Sequence, residues 1–157
     1  MQTCRRAYIV KDKERDVELE IDNQYIMSPK DLCTIGFLNK MIDAGVRVFK
    51  IEGRARSAEY VRTVCECYSE AVQAYLDDTY TREKIEAWKE KLSTVFNRGF
   101  WDGYYLGQRL GEWSEVYGSK ATKKKVLLGK ITNYFKNLGV GEFKLESGEL
   151  AVGDEIL

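Results

Sequence analysis

The chain has 157 residues and carries 25 Lys and Arg against 25 Asp and Glu, so no global field draws it to nucleic acid and any basic surface must be local. It contains no histidine, which excludes a Ser-His-Asp triad, a Cys-His dyad or an HExxH zinc site built within this chain. With no run of about 18 apolar residues and no basic-then-apolar leader, the expectation is a soluble, cytoplasmic protein that does not enter the membrane. In that compartment its four cysteines favour free thiols or metal ligands over disulfides. The chemistry left to it runs through carboxylates, lysine, arginine, tyrosine, cysteine or a cofactor.

In chain order, residues 4–10 read as a strand end and 11–16 as a charged turn. Residues 17–21 alternate strictly, the pattern of a half-buried strand with Glu18 and Glu20 facing water. A short strand over 25–27 leads to Ser28, which suits an N-cap, with Pro29 at the first helical position and Asp31 completing a box-like S-x-x-D. Leu32, Ile35, Leu38, Met41 and Ile42 then recur at helical spacing, and Gly45 fits the left-handed C′ position. Residues 46–51 are short, apolar and β-branched, as a parallel strand covered on both faces must be. Lys50, Glu52, Arg54 and Arg56 follow at its carboxyl end, where βα units gather their chemistry, and they form the candidate site. Arginine forks match carboxylate or phosphate oxygens, and a helix starting near Ser57 adds free N–H groups. Arg54 and Arg56 are therefore the anion-binding candidates, and Lys50 and Glu52 the catalytic ones, with Glu52 orienting an arginine or acting as a base. An internal ion pair at a strand–helix turn is the competing reading.

Val61, Val64, Tyr68, Ala71, Val72 and Tyr75 make the apolar face of that helix, which Asp77-Asp78-Thr79 ends. Thr81 caps another, with Ile85, Trp88, Leu92, Val95 and Phe96 as its stripe. Glycines at 99, 103, 107, 111 and 118 and the aromatics Phe100, Trp101, Tyr104, Tyr105, Trp113 and Tyr117 mark an ordered linker, because rings at that density need something to pack against. A basic run over 120–125 precedes short strands at 126–128, 131–135, 140–145 and 149–152, the spacing of a small barrel. Lys123, Lys124 and Lys125 read first as a solvated flank; with Arg98, Arg109 and the aromatics they would make an RNA-facing patch.

Cys65 and Cys67 lie about 200° apart around a helix axis, so they point in nearly opposite directions and are poor joint ligands. Cys4 precedes Arg5 and Arg6, and Cys33 falls in the first turns of the expected helix; both settings favour thiolate and make metal ligation an open alternative to plain thiols.

Several of these stretches together resemble the peptidase U32 family. They are Cys4-Arg5-Arg6 with Tyr8, Ser28-Pro29-Lys30-Asp31-Leu32-Cys33, Asp43-Ala44-Gly45-Val46, and Phe49-Lys50-Ile51-Glu52-Gly53-Arg54. Asn97-Arg98-Gly99-Phe100 with Gly103-Tyr104-Tyr105-Leu106-Gly107 looks like the family's linker, and residues 129–135 and 153–156 like the first strands of its small β-domain. The resemblance implies an α/β fold: residues 1–96 as the C-terminal part of a (β/α)8 TIM-like barrel, 97–120 as linker, and 121–157 as the start of a small antiparallel β-barrel-like domain. It also implies a chain truncated at both ends. It implies a 4Fe–4S cluster with Cys4 and Cys33 as two metal ligands and two further cysteines upstream, and prephenate as a co-substrate. Three activities come with the family: hydroxylation of a tRNA wobble uridine or an rRNA base, collagenase-like peptide hydrolysis, and an Fe–S accessory role in quinone hydroxylation. The first is the expectation here, because the chain lacks histidine and a serine in a nucleophile-elbow context. Expected partners are tRNA or other RNA, a small dianionic molecule and a paired U32 subunit.

Overall fold

The computed structural model describes residues 6–21, 28–116, 118–154 and 156. Contacts divide the chain into two units, Met1–Lys123 and Lys124–Leu157. The expectations for Cys4 and for a strand at 25–27 lie outside the described residues.

The first unit opens with an antiparallel hairpin, β1 (Tyr8–Lys11) on β2 (Glu18–Ile21), with Tyr8 opposite Ile21 and Lys11 opposite Glu18. Asp12 closes its turn by accepting the amides of Glu14 and Arg15 at 2.8 Å each. Next comes β3 (Asp31–Leu32), which runs parallel to β4 (Phe100–Trp101). The pairing extends past both strands: Asp31 N donates to Gly99 O, Cys33 N to Trp101 O, Lys30 N to Glu112 O and Ser114 N to Ser28 O.

This pairing corrects the helix expected from Ser28. A helix capped at Ser28 would need Ser28 O to accept Leu32 N and Cys33 N to donate to Pro29 O, but Ser28 O accepts Ser114 N and Cys33 N donates to Trp101 O, from chain about 70 to 90 residues away. The cap-like side chains are committed as well: Ser28 Oγ accepts Arg98 Nη1 at 2.7 Å and Asp31 Oδ2 accepts Arg98 N at 2.9 Å. Helix α1 (Leu38–Asp43) starts ten residues later, its first amide donating to the Tyr80 hydroxyl at 3.2 Å. Gly45 ends it with φ +96, the left-handed conformation expected there.

Residues 46–51 form no strand ladder. Burial alternates strictly from 48 to 54, with Phe49, Ile51 and Gly53 inward and Val48, Lys50, Glu52 and Arg54 outward, the periodicity of extended chain covered on one face. No strand among the described residues lies alongside to take its backbone groups, and Val48 is 84% exposed. Helix α2 (Ala58–Leu76) begins at Ser57, whose hydroxyl accepts Tyr60 N, and α3 (Arg82–Ser93) at Thr81, whose hydroxyl accepts Lys84 N. Both caps fall where the sequence put them. The buried stripe of α2 is Val64, Cys67, Ala71 and Ala74, rotated from the expected face so that Val61 is part-exposed. Small residues at 67, 71 and 74 let α3 approach closely, with Trp88 and Leu92 filling the gap. Cys33, Ile35 and Leu38 complete this core, each fully buried aliphatic chain there contributing about 1.5–3 kcal/mol. Asn97 folds the chain out of α3 by donating to Ser93 O and Val95 O and accepting Gly99 N.

The second unit holds an antiparallel hairpin, β5 (Gly129–Phe135) on β6 (Val140–Leu145), with an irregularity between Ile131 and Asn133. A Cβ on Gly129 would stand 2.0 Å from Lys144 O, so only glycine permits this strand approach. Residues 126–128 and 149–152, expected as strands, join no ladder: Leu128 O instead accepts the amides of Glu146 and Ser147, closing the hairpin. The sheets among the described residues are two-stranded and none is closed. No helix among them is long and apolar enough to cross a membrane.

Candidate functional site

The alternation of β3 sets the site. Asp31 and Cys33 face inward beside Phe100, while Leu32 is half exposed. Asp31 is the hub: one carboxylate oxygen accepts the Arg98 amide, and the other stands 3.7 Å from Arg56 Nη2. The Arg56 guanidinium lies 4.0 Å from the Phe96 ring centroid and 5.5 Å from that of Tyr60, with its side chain only 20% exposed. A cation held over two rings beside a carboxylate has little freedom left to lose on meeting an anion.

Burial dominates the titrations here. It pushes the Cys33 thiol up, against smaller opposing pulls from a backbone bond at Ile35, the Tyr68 hydroxyl and Lys89. The Tyr60 phenol is pushed up by burial and then by the Asp31 carboxylate, with Arg56 pulling the other way. Tyr68 is also raised, first by burial; its hydroxyl accepts Thr34 N at 2.9 Å. Behind these groups lies a cavity of about 40 Å³ reaching Asp31, Cys33, Tyr60, Tyr68 and Phe96. That is room for water and not for a nucleobase or a dianion of prephenate size. The Arg98 Nε is buried with no hydrogen-bond partner among the described residues.

The four expected site residues do not converge. Arg56 joins Asp31, whereas Lys50, Glu52 and Arg54 are exposed. Glu52 Oε1 accepts the Arg54 amide at 2.8 Å and so builds the turn, which Ala55 completes with φ 62. Of the two arginines expected to bind an anion, only Arg56 is drawn in, because Phe96 and Asp31, remote in sequence, hold it. Sequence reading missed Asp31, Tyr60, Phe96 and Arg98 as members. Asp31 had a signal of its own, a carboxylate two residues before Cys33, hidden by its fit to a capping box.

The thiols separate as helical geometry requires, with Cys65 exposed and Cys67 buried. Cys33 does not sit at a helix start and its thiol is raised, the reverse of the thiolate setting expected for it. Among the described residues no group of three or more His, Cys, Asp or Glu is arranged to hold a metal ion. Cys33 alone does not make a four-thiolate cluster site, so the described residues do not by themselves fit that group.

A sequence model described as Peptidase family U32 matches residues 1–115. A protein named Collagenase from Porphyromonas gingivalis is 67% identical over 99% of this chain and 38% of its own length. An uncharacterized protease of Methanocaldococcus jannaschii is 33% identical over 100% of the chain and 39% of its own length. The tRNA hydroxylation protein P1 of Bacillus subtilis is 34% identical over 85% of the chain and 32% of its own length. The chain thus spans about two fifths or less of these relatives. No solved structure matches it.

Proposed function

We propose, because the chain belongs to the peptidase U32 family, that it is a segment of an RNA-modifying enzyme that hydroxylates a tRNA wobble uridine. The observation that carries this reading is the state of the candidate nucleophiles. The Ser28 hydroxyl accepts Arg98, and the Ser114 hydroxyl donates to Val116 O; both serines are buried. Cys33 and Cys67 are buried with raised pKa, and there is no histidine in the chain to activate any of them. Acyl transfer from a serine or thiol needs a nucleophile beside a base, and the described residues offer no such pair. Modification of a base asks this segment mainly for binding and positioning, which exposed arginines and rings supply. A relative named for tRNA hydroxylation, at 34% identity, supports the same reading.

In this reading the exposed Arg54 is the first contact for an RNA phosphate or for a dianion such as prephenate, with Arg56 behind it, and Lys50 flanks them. Cys33, with Cys4, would supply thiolates to a 4Fe–4S cluster completed by cysteines outside this chain. In a (β/α)8 barrel the outward side of residues 48–54, with Val48 exposed here, would be covered by the rest of the barrel.

Peptide hydrolysis is the second reading, favoured by the 67% identity to a protein named Collagenase. The two separate in one comparison. Nucleoside mass spectrometry of tRNA from cells lacking the gene, and from complemented cells, is expected to show hydroxylated uridine lost and regained. Purified full-length protein is expected to leave gelatin uncut. Unchanged tRNA with cleaved gelatin would reverse the assignment.

A further inference from the structure

We propose that the outer side of the β3–β4 pair, with the loop that follows it, is a stacking platform for the bases of single-stranded RNA; this rests on the RNA-modification reading. The parallel register sets Leu32 opposite Trp101. Tyr104 meets Trp101 edge to face, centroids 5.2 Å apart at 82°. Gly103, at φ +66, brings the loop down so that its missing Cβ would stand 2.8 Å from Leu32 Cδ1 and 3.3 Å from Tyr105 Cδ2. A Cβ on Gly111 would meet Tyr104 Oη at 3.2 Å, Trp113 Cζ2 at 3.6 Å and Trp101 Cη2 at 3.8 Å. Three rings therefore converge around a residue with no side chain. A backbone bridge between Pro29 and Trp113 ties the far end of the loop to the start of β3.

These rings are held from behind and open in front. Tyr104 is 61% exposed, Tyr105 60%, Leu32 52% and Trp113 44%. A contiguous apolar patch of this kind marks an interaction surface. Charge decides what it fits. Between residues 98 and 113 the two acids are half-buried, and Glu112 is tied to Lys30 at 2.6 Å; Arg109, in the same loop, is exposed. Glu115, two residues past Trp113, is exposed as well, but within the ring-bearing stretch 98–113 the aromatic faces stand with an exposed cation and half-buried acids, which suits bases strung on a phosphate backbone.

The test uses full-length protein and a fluorescently labelled oligouridylate. Tyr104→Ala, Tyr105→Ala and Trp113→Ala are each expected to weaken binding about tenfold, and Tyr104→Phe to retain it. With 4-thiouridine in the oligonucleotide, photo-crosslinks are expected on residues 101–113. Unchanged affinity in properly melting alanine variants, crosslinks confined elsewhere, or loss of self-association in place of RNA binding would overturn the platform. If Tyr105→Ala fails to fold, Tyr104→Ala and the crosslinks decide. Wild-type hydroxylation of tRNA with unaffected alanine variants would sink the platform and leave the function standing. Platform-dependent binding by a protein that hydroxylates nothing would do the reverse.

Discussion

Around Asp31 the charges are matched within the fold: Arg56 lies against the carboxylate and over two rings, and Arg98 donates its amide to the other oxygen. Along residues 50–54 the charges face water, and the bond from the Arg54 amide to the Glu52 carboxylate shapes the turn. Arg54 and Arg56 are two residues apart with the same side chain, yet one is fixed by groups from β3 and the end of α3 while the other is not. What backs an arginine, more than where it stands in a motif, decides whether it holds the fold or waits for a ligand. Substitutions near Asp31 should therefore register in stability, and those at 50–54 in binding.

The largest effect is expected from Asp31→Ala, which strips Arg56 of its partner and leaves the Arg98 amide without an acceptor. A loss of about 2–3 kcal/mol by urea unfolding is the predicted outcome, with Asp31→Asn recovering part of it through its remaining carbonyl. A loss below about 0.5 kcal/mol would mean that Asp31 is no hub and would erase the contrast with Glu52.

Next in size is an alkaline effect from the core thiol Cys67. Cys67, on the buried stripe of α2, is pushed up from 9.0 to about 11 by burial. A raised folded pKa means that the unfolded chain gives up the proton first. Its contribution is present below pH 9 and is lost as pH rises toward 11. Stability should fall across that window by about 2 kcal/mol from this group, in the same direction as the raised Tyr68 and Tyr80 phenols. Cys67→Ala should flatten the fall, whereas the exposed Cys65→Ala should leave it unchanged. An identical alkaline arm in both variants would contradict the burial argument.

The smallest stability effects sharpen the comparison most. Arg56→Ala removes an ion pair and a cation–π contact and should cost about 1–2 kcal/mol, without recovery in Arg56→Lys, because an ammonium cannot stack as a guanidinium does. Arg54→Ala should stay within about 0.5 kcal/mol of the parent. Equal melting temperatures for the two variants would remove the distinction between them.

Much of this was legible in the chain, and the boundary follows range. Ser57 and Thr81 announce α2 and α3 because a cap and its helix are adjacent in sequence, and Gly45 marks the end of α1 for the same reason. The split of Cys65 from Cys67 follows from helical geometry alone. Ser28 and Asp31 misled because their real partner, Arg98, is about 70 residues on, and a local capping motif looks identical until that partner arrives. Nothing local separates Arg56 from Arg54, since Phe96 and Asp31 reach it from either side in sequence. Residues 46–51 carry strand composition, but a strand is a pairing, and no partner strand stands beside them among the described residues.

The most direct measurement is the yield of hydroxylated uridine in tRNA from gene-disrupted cells complemented with wild type or with Arg54→Ala, at matched protein levels and matched melting temperature. The account predicts full restoration by the wild type and a yield about ten- to hundredfold lower with Arg54→Ala, the effect of losing one charge-assisted contact. A normal yield from the variant, or no hydroxylated uridine from the wild type, would contradict it.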